Sequence, residues 1–508
     1  MRRYHQAAET GETYSPAEEQ FNRRRRTAGL VLAPLLFAAM LLLPFPTLTP
    51  EAHRLSAVLV LMIVLWMTEA LPLPVTALLG PALAVILGIT TARTVLAPFA
   101  DPIIFLFIGS FMLAEAMFVH RLDRRLAFTA LSSPWVGYSG LRLMIVYAAV
   151  GAVLSMWMSN TATTAMLFPL GLAVLAELGR GRSHESGFQR YAMAMMLVTS
   201  FAASIGGMAT PVGTPPNLIG RRFLSELAGI NVSFAGWMTL GLPIALVTLG
   251  VLAVWMLVPS GRLINLTEEA RAAVDAERRK LGPVSPGERN VMIAFGVTVA
   301  LWIVPGLLQI VLGASNPVVS RLTAWFPEAI AALVGAILLF LLPVDWRTRR
   351  FTLTWEEAAG IDWGIILLFG GGLAMGQLAD ATGLSDALGK WVATEFPTAG
   401  ETGLTLVFTA VAILMSEAAS NTASANIIVP TAVAVSTAAG VSPLAPALGA
   451  TFGASMGFMM PISTPPNAIV YSSGYIPIGR MMRAGIVLDV IGYVVIVIAV
   501  LGLSSFLR

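Results

Sequence analysis

Apolar residues in this chain of 508 residues run in long uninterrupted blocks, with none of the helical or alternating spacing of a half-buried surface element. Thr27–Pro50, Ala70–Ala92, Leu143–Ala176, Tyr191–Gly220, Leu227–Gly261 and Ala418–Gly479 contain no Asp, Glu, Lys or Arg. A helix needs about 20 apolar residues to cross a hydrocarbon core ~30 Å thick. The blocks therefore predict an all-α membrane protein with eleven transmembrane helices: 28–46, 52–70, 72–90, 99–118, 191–230, 234–258, 291–313, 326–343, 362–380, 444–476 and 484–506. Two of them, 191–230 and 444–476, are too long and too rich in Gly and Pro to be continuous, and are expected to be broken.

Two further segments, 140–177 and 402–440, do not fit as single spans. Leu143–Ala176 would make a helix about 51 Å long at roughly 1.5 Å per residue. Each segment carries a polar cluster at its centre, Ser159-Asn160-Thr161 and Ser420-Asn421-Thr422. Both are expected to be re-entrant helical hairpins with that cluster at the tip, because non-helical backbone at membrane depth survives only inside protein or beside a wet cavity.

Charge placement orients the chain. With the N-terminus inside, Arg121, Arg124, Arg125, Arg180, Arg182, Arg278, Arg279, Lys280, Arg347, Arg349, Arg350, Arg480 and Arg483 fall in cytoplasmic segments. The outside segments hold little beyond Arg54, Arg93, Arg321, Lys390 and Arg508; Arg221 and Arg222 run against the rule. The C-terminus is then expected outside. The long polar loop at 259–290 predicts a cytoplasmic helix capped by Thr267, opened by Glu268-Glu269 and closed by Arg278-Arg279-Lys280.

The chain also repeats itself. An offset of 261 aligns Asp101 with Asp362, Gly109 with Gly370, Ser159-Asn160-Thr161-Ala162 with Ser420-Asn421-Thr422-Ala423, and Pro169 with Pro430. An offset of 250 then aligns Thr214-Pro215-Pro216-Asn217 with Thr464-Pro465-Pro466-Asn467. An odd number of spans separates the two hairpins, so the halves are expected to be inverted, one hairpin entering from the cytoplasm and the other from outside. Inverted repeats with interrupted helices are the architecture of secondary transporters. The expected organisation is a polar tail at 1–26, a first span at 27–50, a first repeat at 51–258, the connecting helix at 259–290 and a second repeat at 291–508.

Composition narrows the function. Only 12% of residues are charged, against roughly 25% in soluble domains. The net charge of +3 comes from basic residues flanking apolar blocks, which argues against nucleic acid as a partner. The absence of cysteine excludes thiol chemistry. An intramembrane hydrolase built on Ser159 or Ser420 would need a general base, and neither hairpin holds His or Lys, although Glu417 is near the second. A passive channel remains as the other alternative, which saturable uptake would exclude. A Ser-Asn-Thr tip offers hydroxyls, an amide, freed carbonyls and the N-terminal amides of the following half-helix. Such a tip can face a cation with oxygens and an anion with N–H and O–H groups. Because 143–176, 191–220 and 418–479 contain no Lys or Arg, a dianion there is expected to be balanced by co-bound sodium.

The paired Ser-Asn-Thr and Thr-Pro-Pro-Asn motifs closely resemble those of the divalent anion/sodium symporter family, over nearly the whole chain beyond residue 27. The resemblance implies a multi-pass inner-membrane protein, not an enzyme, working as a homodimer by an elevator mechanism. It implies a first sodium site at Ser155, Ser159, Asn160 and Gly213, and a second at Ser416, Ala419, Asn421 and Ser463. The substrate would meet Asn160, Thr161, Thr214, Asn421, Thr422, Thr464 and Pro465. Ser416 stands where the family pattern has Thr, which keeps the hydroxyl. Small C4-dicarboxylates are the expected substrates, with sulfate or citrate, and sodium-independent exchange, as alternatives.

Overall fold

The computed structural model describes residues 16–180, 184–313, 316–385, 387 and 400–503. The first fifteen residues of the polar tail, with Arg182, Lys390 and Arg508, lie outside these, so their part in the charge argument has no structural counterpart.

The main helices are α1 (Pro16–Leu42), α2 (Pro50–Thr68), α3 (Leu73–Ile86), α4 (Pro102–Val119), α5 (Gly140–Ser155), α6 (Asn160–Leu178), α7 (Ser186–Gly207), α8 (Pro215–Ala228) and α9 (Phe234–Leu252). After them come α10 (Glu268–Lys280), α11 (Pro286–Leu312), α12 (Glu328–Leu341), α13 (Trp363–Ala381), α14 (Glu401–Ala418), α15 (Asn421–Ala438), α16 (Leu444–Gly453), α17 (Pro465–Tyr471) and α18 (Ile478–Leu503). Among the described residues the fold is all-α apart from a short antiparallel ribbon, Pro343–Asp345 with Arg350–Phe351. Among the described residues, nine helices are long and apolar enough to cross a bilayer, or ten if Pro317–Trp325 and α12, bent by 60°, are one span. Two of the nine, α6 and α14, lie in the segments expected to form hairpins, so length and composition alone do not separate a hairpin arm from a span. The expected breaks at 191–230 and 444–476 are present between α7 and α8 and between α16 and α17.

Local chemistry explains the helix limits. α10 begins at Thr267, whose hydroxyl accepts from the Ala270 amide, and its basic last turn faces the negative end of the helix dipole. Pro215 and Pro465 stand at the first helical position, where a missing N–H costs nothing. The half-helices after the polar clusters start at Asn160 and Asn421, because Ser159 and Ser420 serve as the caps.

The two halves interlock through these short helices. α6 packs on α17, and α15 packs on α8, so the helix after each Ser-Asn-Thr lies on the helix after the other half's Thr-Pro-Pro-Asn. Gly220 of α8 also makes room for Thr451 of α16. Phe201 of α7 meets Phe458 edge-on with ring centroids 5.0 Å apart.

The basic pair that ran against the charge rule has a structural task. Arg221 of α8 pairs with Glu328 at the start of α12 (2.8 Å) and donates to the Val232 carbonyl at 2.8 Å. Glu328 also accepts from the Phe234 amide at 2.6 Å. Arg222 pairs with Asp101, the cap of α4, and with Glu226, which accepts from Gln377 of α13. One helix is thus tied to α4, α12 and α13. Breaking a buried pair by deleting one partner costs about 3 kcal/mol or more when the remaining charge stays buried. Arg221 is buried and Glu328 about a quarter exposed. Glu328→Ala is expected to lower the melting temperature of the detergent-solubilised protein clearly, and Arg93→Ala, on the exposed surface, to leave it unchanged; equal effects would show that the pair contributes nothing.

Candidate functional site

Each half builds the same turn. Ser159, in extended backbone, accepts from the Ala162 amide at 3.2 Å, and Ser420 accepts from the Ala423 amide at 3.2 Å. The last residue of α5, Ser155, donates its hydroxyl to Asn160 Oδ1 at 2.7 Å. Ser416 does the same to Asn421 Oδ1 at 2.6 Å, and its hydroxyl also lies 2.8 Å from the Ala454 carbonyl. Each asparagine side chain is therefore fixed across the turn by the helix before it. Ser155 and Ser416 are buried, whereas Ser159, Asn160, Thr161, Ser420, Asn421 and Thr422 are partly exposed.

The second break in each half is held by its own asparagine. Asn217 Nδ2 donates to the carbonyls of Gly207 (2.9 Å) and Thr210 (2.7 Å). Asn467 Nδ2 donates to those of Gly457 (2.9 Å) and Met460 (3.0 Å). The offset of 250 that aligns the motifs also aligns these acceptors, bond for bond. The equivalence has limits. Thr214 and Thr464 both stand at the N-cap position, but Thr464 accepts from the Asn467 amide at 3.4 Å whereas the Thr214 side chain makes no cap bond. Asn467 Oδ1 accepts from Ser200 across the interface between halves, while Asn217 Oδ1 has no hydrogen-bond partner.

Gly207 and Gly457 bring the two breaks of each half together, and motif reading had passed over both. A Cβ on Gly207 would overlap Asn160 Oδ1, and one on Gly457 would stand 3.1 Å from Asn421 Oδ1, 3.2 Å from Ser416 Oγ and 3.3 Å from Ser463 Cβ. Gly213 in turn sits against the Gly207 and Ser155 carbonyls. The first half thereby gathers Asn160, Ser155, Gly207 and Gly213 in one place, and the second gathers Asn421, Ser416, Gly457 and Ser463. Ala419 ends α14 in extended backbone beside the second cluster. Gly213, Thr214, Ser463 and Thr464 are buried, and Pro465 is exposed. Such neutral hydroxyl, amide and carbonyl oxygens suit an alkali cation. Among the described residues no three His, Cys, Asp or Glu side chains come together as a ligand set for another metal.

Charge near the clusters is sparse and compensated. Glu417 accepts from the Met459 amide (2.8 Å), the Met460 amide (3.2 Å) and the Ser463 hydroxyl (2.6 Å), and so pins the second break to α14. One cation, missed in the sequence because it lies far off in α1, does approach: Arg25 reaches the Ala418 carbonyl at 3.5 Å. It is paired with Glu69 at 2.8 Å and so adds no net charge there. Beside the first turn, Trp157 stacks at 6.4 Å on Trp302 of α11 and at 6.2 Å on Phe234.

Comparison with known proteins places these turns in context. The sodium:sulfate symporter transmembrane region matches residues 24–506. A transporter of Haemophilus influenzae is 32% identical over 481 residues, covering 93% of this chain and 95% of its own. The sodium-dependent dicarboxylate transporter SdcS of Staphylococcus saprophyticus is 32% identical over 485 residues, covering 93% of this chain and 90% of its own. Its Staphylococcus aureus counterpart is 31% identical over 482 residues, with 93% and 90% covered. Among solved structures, the YdaH transporter of Alcanivorax borkumensis shares the fold with a TM-score of 0.53 at 16% identity, over 81% of this chain and 88% of its own. MtrF of Neisseria gonorrhoeae follows at 0.51 and 14%, over 80% and 82%. The chain is a membrane transporter, not an enzyme, and belongs to the sodium:sulfate symporter family, the divalent anion/sodium symporters.

Proposed function

We propose that this protein is a sodium-coupled symporter of small divalent anions, C4-dicarboxylates such as succinate, malate and fumarate foremost. The observation that carries the reading is the duplicated oxygen cluster: Ser155 on Asn160 at 2.7 Å and Ser416 on Asn421 at 2.6 Å, each closed by a glycine of the neighbouring break. One sodium ion is assigned to Ser155, Ser159, Asn160 and Gly213, and another to Ser416, Ala419, Asn421 and Ser463. The dianion meets Asn160, Thr161 and Thr214 from one half and Asn421, Thr422, Thr464 and Pro465 from the other. Sodium is a passenger that neutralises the substrate, since 143–176, 191–220 and 418–479 supply no Lys or Arg. The name of the Staphylococcus relatives, sodium-dependent dicarboxylate transporters, favours this substrate class over sulfate.

The same reading takes α5–α6 and α14–α15 as re-entrant hairpins entering from opposite sides, in inverted repeats at 51–258 and 291–508 joined by α10. It gives eleven spans in the inner membrane, a cytoplasmic N-terminus and an external C-terminus. A homodimer whose site-bearing half slides as an elevator completes it. The ion pairs from α8 to α4 and α12, and its hydrogen bond to α13, are then contacts that the sliding half must exchange.

Uptake of labelled succinate by the purified protein in liposomes tests the proposal. Uptake should follow an inward sodium gradient and stop when choline replaces sodium; sodium-independent counterflow would instead identify an exchanger. Asn160→Ala and Asn421→Ala should each reduce uptake by about 10- to 100-fold or more, since one hydrogen bond to a charged group is worth about 1.5–3 kcal/mol. Full uptake by either variant would remove that asparagine from the site. Gly207→Ala should impair sodium activation more than Gly457→Ala, because its Cβ would overlap the asparagine oxygen while the other only crowds it. A reversed order of sodium half-saturation would contradict the packing argument.

A further inference from the structure

The turn between α5 and α6 is held from within its own half. Ser155 fixes Asn160, the Thr210 hydroxyl donates to the Met156 carbonyl, and the amides of Trp157 and Met158 both return to the Leu154 carbonyl, at 3.0 and 3.1 Å. Trp157, two residues before the Ser159 cap, reaches the other way. Its half-buried indole enters an aromatic pocket built by α9 and α11. It lies parallel to Trp302, with planes 1° apart and ring centroids at 6.4 Å, and meets Phe295 edge-on at 5.2 Å. Phe234 closes the pocket, stacked at 4.7 Å on Trp302 and at 6.2 Å on Trp157. All four pairs fall within the range of roughly 4.5–7 Å in which aromatic rings attract beyond their buried area.

The pocket walls have their own supports. Phe295 and Trp302 lie two turns apart on one face of α11. One turn further on, Gly306 lets α11 approach α9: a Cβ there would stand 2.7 Å from the Ala235 Cβ. The Trp302 N–H donates to the Glu328 carbonyl at 2.9 Å, and the Phe234 amide to the Glu328 carboxylate at 2.6 Å. Phe234 and Trp302 are buried, and Glu328 also holds Arg221 of α8. The second tip has no such anchor. The offset of 261 puts Ala418 in the place of Trp157, and the Arg25 guanidinium touches the Ala418 carbonyl there.

We propose that Trp157 is a positioning residue for the first sodium site: its indole, gripped by Trp302, Phe295 and Phe234, holds the turn that carries Ser159 and Asn160 in its ion-binding shape. Trp157 supplies no atom to the ion and acts through the turn. A turn released from the pocket must be reordered each time the ion binds, and that entropy cost appears as weaker binding. Because the grip exists in one half only, it acts on one of the two sodium ions. The inference deepens the symporter reading and rests on its first sodium site.

Thermal stabilisation of the purified full-length protein by sodium, with choline replaced stepwise at fixed ionic strength, tests the grip without any transport. Trp157→Ala should leave part of the stabilisation at wild-type sodium concentrations and move the rest up by about 3- to 10-fold, the worth of one aromatic pair. Trp157→Phe, which keeps a ring in the pocket, should recover most of that loss. A lower melting temperature with an unshifted sodium titration would overturn the proposal and leave Trp157 as packing alone. Equal shifts in Trp157→Phe and Trp157→Ala would also overturn it. Should Trp157→Ala not fold, Phe295→Leu and Trp302→Leu, outside both proposed sodium sites, carry the test: each should weaken the same ion, and unchanged titrations in both would refute the grip. A wild-type protein that sodium does not stabilise would remove the sodium sites and this inference together. A shifted titration in a protein that moves no succinate would count against the substrate assignment alone.

Discussion

A doubly charged anion cannot leave water for the middle of a bilayer unless other dipoles or charges replace its hydration, and on the proposed reading that constraint shapes this fold. The site regions carry no basic residue of their own. What they carry are interrupted helices whose first turns expose N–H groups and whose preceding turns expose oxygens. Ser159 and Ser420 start two of these helices, and Pro215 and Pro465 start the other two. The asparagines are not loosely displayed polar groups: Ser155 and Ser416 lock their oxygens inward. Preorganisation of this kind spares the cost of ordering the site when ligand arrives.

Interruption of helices in a membrane has its own cost, because freed carbonyls and amides must find partners. The structure meets it by economy. Asn217 and Asn467 each use one amide group to satisfy two carbonyls of the unwound segment. Glu417 satisfies two amides and a hydroxyl of the second segment. The first segment has no acid in the matching place, since the offset of 261 puts Met156 there. The halves are alike in backbone and unlike in charge.

The breaks, the repeat and the asparagine motifs were legible in the chain because duplication makes a weak polar signal specific. The exact helix starts after the two tips were not legible, since Ser and the Asn that follows it both cap well and only the fold decides between them. Identical Thr-Pro-Pro-Asn sequences cap differently at Thr214 and Thr464, a matter of neighbours that no local pattern reveals. Arg221 and Arg222 looked like topology signals gone wrong until their acidic partners, more than a hundred residues away for Glu328, were in view.

The central claim is that alkali ions, and not a protein cation, balance the charge of the bound anion. Calorimetric titration of succinate into the purified protein tests it most directly, at fixed pH and ionic strength, with choline replaced stepwise by sodium. The account predicts that affinity climbs steadily with sodium and vanishes without it. Equal affinity in choline and sodium would contradict it, and would require a positive side chain at the site.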